Sequence, residues 1–175
     1  MITKQIVSPQ ANSPILGIVQ DSCLACKRMT ERNTFLDKAT TFQLLMRIID
    51  WDGVVPIPAI LKGTNGGGPL WTGKQIFQIL IPDVCSLRRT NIQHNDKDKA
   101  DVQAGIMTPS DSKCLILDGE LISGVADKKV MGAQNGGLIH IIWHELGPEG
   151  ANKFISGAQR LVDNWLVNVG FSIGI

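Results

Sequence analysis

The residues able to do chemistry are few, and their spacing argues against most of the reactions they suggest. Gly68-Pro69-Leu70-Trp71-Thr72-Gly73-Lys74-Gln75 satisfies the G-x-x-x-x-G-K part of a phosphate-binding loop. It then fails, because Gln75 stands where a Ser or Thr hydroxyl must hold Mg²⁺. Pro69 brings no N–H, and Trp71 is bulky where backbone would have to close around phosphate. The block reads instead as a tryptophan anchor followed by a helix start at Gly73-Lys74. Cys23-Leu24-Ala25-Cys26 is a C-x-x-C, but a zinc ribbon needs a second pair, and Cys85 and Cys114 are far apart. The four cysteines read as reduced, buried or half-buried thiols. His140 and His144 would share a face if their run were helical. The order H-I-I-W-H-E is nevertheless not the H-E-x-x-H of zinc proteases, and His140 reads as a core or interface histidine. Asp50-Trp51-Asp52 could hold Mg²⁺ in principle. Asp52-Gly53 reads better as a turn, with Asp50 near a helix end. That leaves the basic pair Lys128-Lys129, which precedes a glycine-rich stretch ending in Asn135-Gly136-Gly137. Small residues let a phosphate backbone come close to such a pair. Taken alone, though, two lysines at a strand end read as solvated.

The elements that must position these residues are legible in part. Cys114 to Leu117 and Glu120 to Val125 flank Asp118-Gly119, the two-residue type I′ signal, so a hairpin is predicted near 114–125. Gly147-Pro148-Glu149 opens a long C-terminal helix predicted near 148–169. Its apolar face is Ala151, Phe154, Ile155, Ala158, Leu161, Val162, Trp165, Leu166 and Val169, and Gly170 is its stop. A helix through Ala39 to Ile49 shows Phe42, Leu45, Ile48 and Ile49 on its apolar face. Gln20 to Met29 and Gly73 to Ile81 also read as helical. Leu138 to Trp143 is very apolar, and its β-branched content favours a strand. Ala59 to Leu61 reads as a short strand. Gly63 to Pro69 and Asn91 to Asp101 read as surface loops, the second exposed and tolerant of change. Helices and strands mix without a regular βαβ rhythm, so the fold class is α+β.

Composition narrows the class further. The chain has 175 residues, 43% of them hydrophobic, enough for one domain with a real core. Net charge is +1, from 17 basic against 16 acidic residues, so any basic surface is local. No apolar run reaches the roughly 18 residues of a membrane-spanning helix. The opening Met1-Ile2-Thr3-Lys4-Gln5 lacks a signal peptide's apolar centre, which predicts an intracellular protein.

Five blocks carry a resemblance. Gln5 to Gln10 leads into Gly17-Ile18-Val19-Gln20-Asp21. Trp51 to Pro56 is followed by Pro58-Ala59-Ile60-Leu61-Lys62. Pro69 to Phe77 is the third. Asp118 to Gly124 runs on through Lys128-Lys129 and Gly132 to Asn135-Gly136-Gly137-Leu138-Ile139-His140. Asn164-Trp165-Leu166 precedes Gly170 to Ile175. In this order, over nearly the whole chain, they resemble the pore domain, the third domain, of the largest subunit of eukaryotic DNA-directed RNA polymerase II. Thr64 to Gly68 is longer and richer in glycine than the family's usual link. Residues 91–107 match nothing firmly.

The resemblance implies a single domain over 1–175, an internal segment of a much larger nuclear nucleotidyltransferase, inactive by itself. It implies a wall for the channel by which nucleoside triphosphates enter and the backtracked RNA 3′ end and transcript-cleavage factors pass. Lys128, Lys129, Asn135 and Gly136 are the expected channel contacts. Gln20, Asp21, Trp71, Gly73 and Lys74 are family-motif positions with an expected structural role. No catalytic residue, metal or cofactor is expected in this segment, since the Mg²⁺ of the intact enzyme is held by an aspartate-rich loop that is absent here. Expected partners are the other polymerase II subunits, with no membrane. The alternatives are a purely structural, subunit-docking module, or the equivalent segment of another multisubunit polymerase.

Overall fold

A computed structural model describes residues 2–62, 67–92 and 111–172. The chain passes from a 3₁₀ turn (Ile2–Gln5) into β1 (Val7–Ser8), β2 (Ser13–Pro14), α1 (Gln20–Met29), β3 (Phe35–Leu36) and α2 (Lys38–Leu45). Then come β4 (Trp71–Thr72), α3 (Gly73–Gln78), β5 (Leu87–Thr90), β6 (Lys113–Leu117), β7 (Glu120–Ser123), α4 (Lys128–Met131) and α5 (Leu138–Val169). The strands form three small antiparallel sheets, β1–β2, β3–β4 and β5–β6–β7. The class is α+β, as the sequence predicts.

The hairpin forms where Asp118-Gly119 requires it. Both residues have positive φ, 48° and 81°, and Leu117 faces Glu120 across the turn. Aspartate tolerates this conformation and glycine adopts it without a Cβ penalty. A third strand, β5, lies along β6 with Leu87 opposite Ile116 and Thr90 opposite Lys113. The sequence did not announce β5. Its centre, Arg88-Arg89, carries charge where a strand is usually recognised by apolar alternation.

Local chemistry sets the helix starts. Asp37 caps α2 by accepting from Thr40 N–H at 3.0 Å. Thr72 and Gln75 form a reciprocal capping box on α3. Gly73 is buried directly on α1: a Cβ there would sit 2.0 Å from the Met29 carbonyl oxygen. Only glycine fits that approach without backbone movement.

Four expectations need correction. Leu138 to Trp143 is the first part of α5, not a strand. Leu138, Ile139 and Ile142 are fully buried, a one-sided i, i+1, i+4 arrangement that a helix satisfies. Burial on that face outweighs the weak β-propensity of the isoleucines. Gly147 (φ 74°) and Pro148 then divide α5 into two helical parts across a kink. On α2 the core positions are Thr41, Leu44 and Leu45, followed by Ile48 beyond the helix end, whereas Phe42 and Ile49 are each 39% exposed. Ala59 to Leu61 forms no strand. Ile60 only makes a single antiparallel bridge with Leu70.

The second part of α5 follows prediction more closely. Ala151, Phe154, Ala158, Leu161, Val162 and Trp165 are buried, while Val169 is exposed. Together with Ala25, Cys26 and Met29 of α1 and Ile76 and Phe77 of α3 they make one core. Each fully buried Leu, Ile or Phe side chain contributes about 1.5–3 kcal/mol. Asn91, assigned from sequence to an exposed loop, is 2% exposed. The remainder of that loop from 93 onward, and 63–66 of the glycine-rich link, lie outside the described residues.

Candidate functional site

The expected structural positions fall as follows. Trp71 is buried, and its Nε1–H donates to the Pro56 carbonyl at 2.7 Å. Lys74 Nζ lies 2.7 Å from Asp111 Oδ2, in an ion pair that is largely enclosed. Asp111 Oδ1 accepts from Gly124 N–H at 2.8 Å, and Arg32 Nη2 lies 3.8 Å from that Oδ1. The Walker-like lysine is thus engaged, and the α3 N-terminus is occupied by its own capping box. No phosphate cradle remains there. Asp21 is exposed in the first turn of α1. Gln20 is exposed with φ 52°.

Lys128 and Lys129 open α4, and one buried carboxylate places them. Asp127 is 5% exposed. Its Oδ1 accepts from Lys129 N–H at 2.9 Å and from Val130 N–H at 3.3 Å, capping the helix. Its Oδ2 accepts from Ile92 N–H at 2.7 Å. The carboxylate therefore joins α4 to the end of β5. Lys129 Nζ donates to the Asn91 carbonyl at 3.2 Å, which leaves that side chain half-buried, whereas Lys128 is exposed.

Arg89 supplies the second clamp. Its Nη1 donates to the Lys129 carbonyl at 2.6 Å, and its Nη2 to the Asn135 carbonyl at 2.7 Å. A planar guanidinium can span two carbonyls in this way, and a lysine cannot. The basic pair and the glycine-rich turn are thereby fixed to one another, although five residues separate Lys129 from Asn135 in sequence. Asn135 and Gly136 are exposed, Gly136 with φ 64°. Gly136 N–H donates to His140 Nδ1 at 2.9 Å, which ties the turn to α5.

A cleft of about 410 Å³ opens beside this cluster. Gln20, Cys23, Lys27, Asn91, Lys128 and the hydrogen-bonded Asp127 carboxylate contribute to its lining, with Val19, Leu24, Ile92 and Val125 as its apolar surface. Asn135 and Gly136 do not line it. The cleft brings Gln20, expected only as a structural position, beside Lys128, and adds Lys27, which the sequence reading missed. Lys27 and Gln20 are seven residues apart on one helix, so their shared face was available once α1 was assigned. The arrangement offers two ammonium groups at a concave, partly apolar surface. It can attract polyanions, and it holds no nucleophile–base pair.

The thiols are held in their neutral form. All four cysteines are free, and Cys26, Cys85 and Cys114 are buried. Burial pushes the Cys85 thiol up to about 11 and the Cys114 thiol up to about 12. Cys26 is raised further by burial and then by Cys23, and Cys23 itself is raised by burial and by Asp127. None is a ready thiolate. Asp50 faces Lys153 Nζ at 2.7 Å, and Asp52 Oδ1 accepts from Val54 N–H at 2.9 Å to close the predicted turn. Among the described residues no group of three or more His, Cys, Asp and Glu could hold a metal ion.

Comparison with known proteins gives two concordant results. The family model for RNA polymerase Rpb1, domain 3, matches residues 5–175. The DNA-directed RNA polymerase II subunit RPB1-B of Trypanosoma brucei brucei is 38% identical over 179 residues, covering 100% of this chain and 9% of the relative. The chain thus spans about a tenth of the length of that relative. The family model and the 38% identical relative agree, and this chain belongs to the family of RNA polymerase Rpb1, domain 3.

Proposed function

We propose that this chain is the pore-lining segment of the largest subunit of a nuclear DNA-directed RNA polymerase II. On this reading it walls the channel through which nucleoside triphosphates enter and the backtracked RNA 3′ end leaves, and by which a transcript-cleavage factor reaches the active site. The other polymerase subunits are its partners. The observation that supports this most is the clamped pair Lys128-Lys129. Asp127 and Arg89 hold the backbone of Lys129, and the neighbouring Lys128 lies on a concave surface with Lys27. Fixed cations attract phosphates without reading sequence. On this reading the Mg²⁺ of the intact enzyme is held outside this segment.

The test is Lys128→Ala with Lys129→Ala in the intact subunit, scored by cleavage of backtracked RNA and by elongation at several salt concentrations. Cleavage is expected to slow, with a salt dependence shallower by about 0.7 per lost phosphate contact. Unchanged rates with an unchanged salt slope would remove the channel role. A second reading, a scaffold that docks neighbouring parts of the enzyme, draws on Val54, Ile57 and Leu61. These side chains are 66%, 79% and 75% exposed on one stretch of chain. The two readings separate in the same experiment, because a scaffold leaves the salt slope untouched.

A further inference from the structure

The helical course of residues 138–146 has a consequence that a strand would not have had. His140 and His144 stand one turn apart on the same face of α5, with ring centroids 4.6 Å apart. Their Nε2 atoms are 2.9 Å from each other. His144 is exposed and His140 half-buried. The Trp143 ring meets His144 edge-on at 5.3 Å, which restricts the outer imidazole. Two imidazole nitrogens thus converge on one point at the protein surface.

We propose that His140 and His144 form a two-histidine site for a borderline transition-metal ion, Cu²⁺ or Ni²⁺ ahead of Zn²⁺. The separation carries the argument. With metal–nitrogen bonds of about 2.0–2.1 Å, two ligands at a right angle lie about 2.9 Å apart, and two tetrahedral ligands about 3.3 Å apart. The observed 2.9 Å equals the nitrogen–nitrogen separation of cis positions on a square-planar or octahedral ion. A tetrahedral ion requires the pair to open by a few tenths of an ångström. No third His, Cys, Asp or Glu completes a cluster among the described residues, so water fills the remaining positions. Mg²⁺ prefers oxygen ligands and is not taken up.

Proton bookkeeping gives the site a second signature. Gly136 N–H donates to His140 Nδ1, so the neutral ring carries its proton on Nε2 and donates to His144 Nε2. Metal on both Nε2 atoms requires that proton to move, through solvent, to Nδ1 of His140. Net charge on the ring is unchanged, and the Gly136 N–H loses its acceptor. Metal binding is therefore coupled to release of the Gly136 amide, on the same turn that Arg89 holds through Asn135.

The experiment titrates the 175-residue chain with copper, nickel, zinc and magnesium salts by calorimetry, and follows the Gly136 amide by NMR with Zn²⁺. One equivalent of metal is expected, with Cu²⁺ tightest and Mg²⁺ silent. His144→Gln, at an exposed position that leaves the His140–Gly136 bond intact, should weaken binding by at least about tenfold. The Gly136 amide should shift on Zn²⁺ addition in the parent and stay still in the variant. Affinity within about twofold of the parent in His144→Gln would overturn the proposal. So would the absence of saturable binding, or binding that leaves the Gly136 amide unmoved.

Discussion

Replacing Asp127 with alanine should destabilise the chain more than its position beside two surface lysines suggests. Three backbone N–H groups converge on this carboxylate, from Lys129 at 2.9 Å, Val130 at 3.3 Å and Ile92 at 2.7 Å. Loss of the helix cap costs about 1 kcal/mol. The Ile92 bond is short and made to an ionised group, a class worth about 1.5–3 kcal/mol. The carboxylate is nearly buried, so its removal also relieves some desolvation, which offsets part of that loss. The net expectation is about 2–4 kcal/mol. For a chain of this size each kcal/mol lowers the melting temperature by about 2–4 °C, so a fall of about 5–15 °C is expected. Urea unfolding followed by circular dichroism should show an earlier midpoint with an unchanged slope. Asp127→Asn keeps one acceptor oxygen, which can serve the cap or Ile92 but not both. It should therefore fall between the parent and the alanine variant. If Asp127→Ala melts within about 1 °C of the parent, the carboxylate does not join β5 to α4, and the clamped geometry of the lysine pair loses its foundation.

Two further outcomes follow from the same structure. Gly73→Ala should cost about 1–3 kcal/mol or more, because the new methyl meets the Met29 carbonyl at 2.0 Å; an unchanged unfolding midpoint would mean α1 and α3 are not in contact there. Iodoacetamide at mildly alkaline pH should label Cys23 ahead of Cys26, Cys85 and Cys114, read by mass spectrometry, since the last three are buried and all four thiols are raised; equal labelling of Cys26 and Cys23 would contradict the packing of α1. The sign for stability follows from the raised values. Cys114 favours its thiol in the fold, so its contribution is complete below its ordinary value of 9.0 and is lost as pH rises from there through about 12.

What could be read ahead of the structure was local. Asp118-Gly119 specifies its hairpin because both φ values must be positive, and Gly147-Pro148 specifies a helix start because proline lacks the N–H that a helix start does not need. Leu138 to Trp143 misled because five apolar residues around His140 fit strand and helix equally by pattern, and the decision came from the one face that buries Leu138, Ile139 and Ile142. Strand β5 was missed for the opposite reason. Arg89 looks like a surface charge in sequence, yet its guanidinium holds two carbonyls 40 and 46 residues away. The lysine pair itself was legible. Its positioning was not, because Arg89, Asn91 and Ile92 reach it only through the fold.

The long-range character of that positioning bears on the segment between β5 and β6. Asn91 N–H donates to the Ser112 carbonyl at 2.7 Å, and Asn91 Nδ2 donates to the Asp111 carbonyl at 3.2 Å. Residues 91 and 112 are thus fastened side by side, and Asp127 and Lys129 hold the same strand end from α4 through Ile92 N–H and the Asn91 carbonyl. Once the two ends are joined, the length of chain between them matters little to the core, since each doubling of a loop costs only about 0.6 kcal/mol. The clamp joins backbone carbonyls and amides through the side chains of Asp127, Arg89, Lys129 and Asn91, so it tolerates change in the neighbours that merely supply main chain.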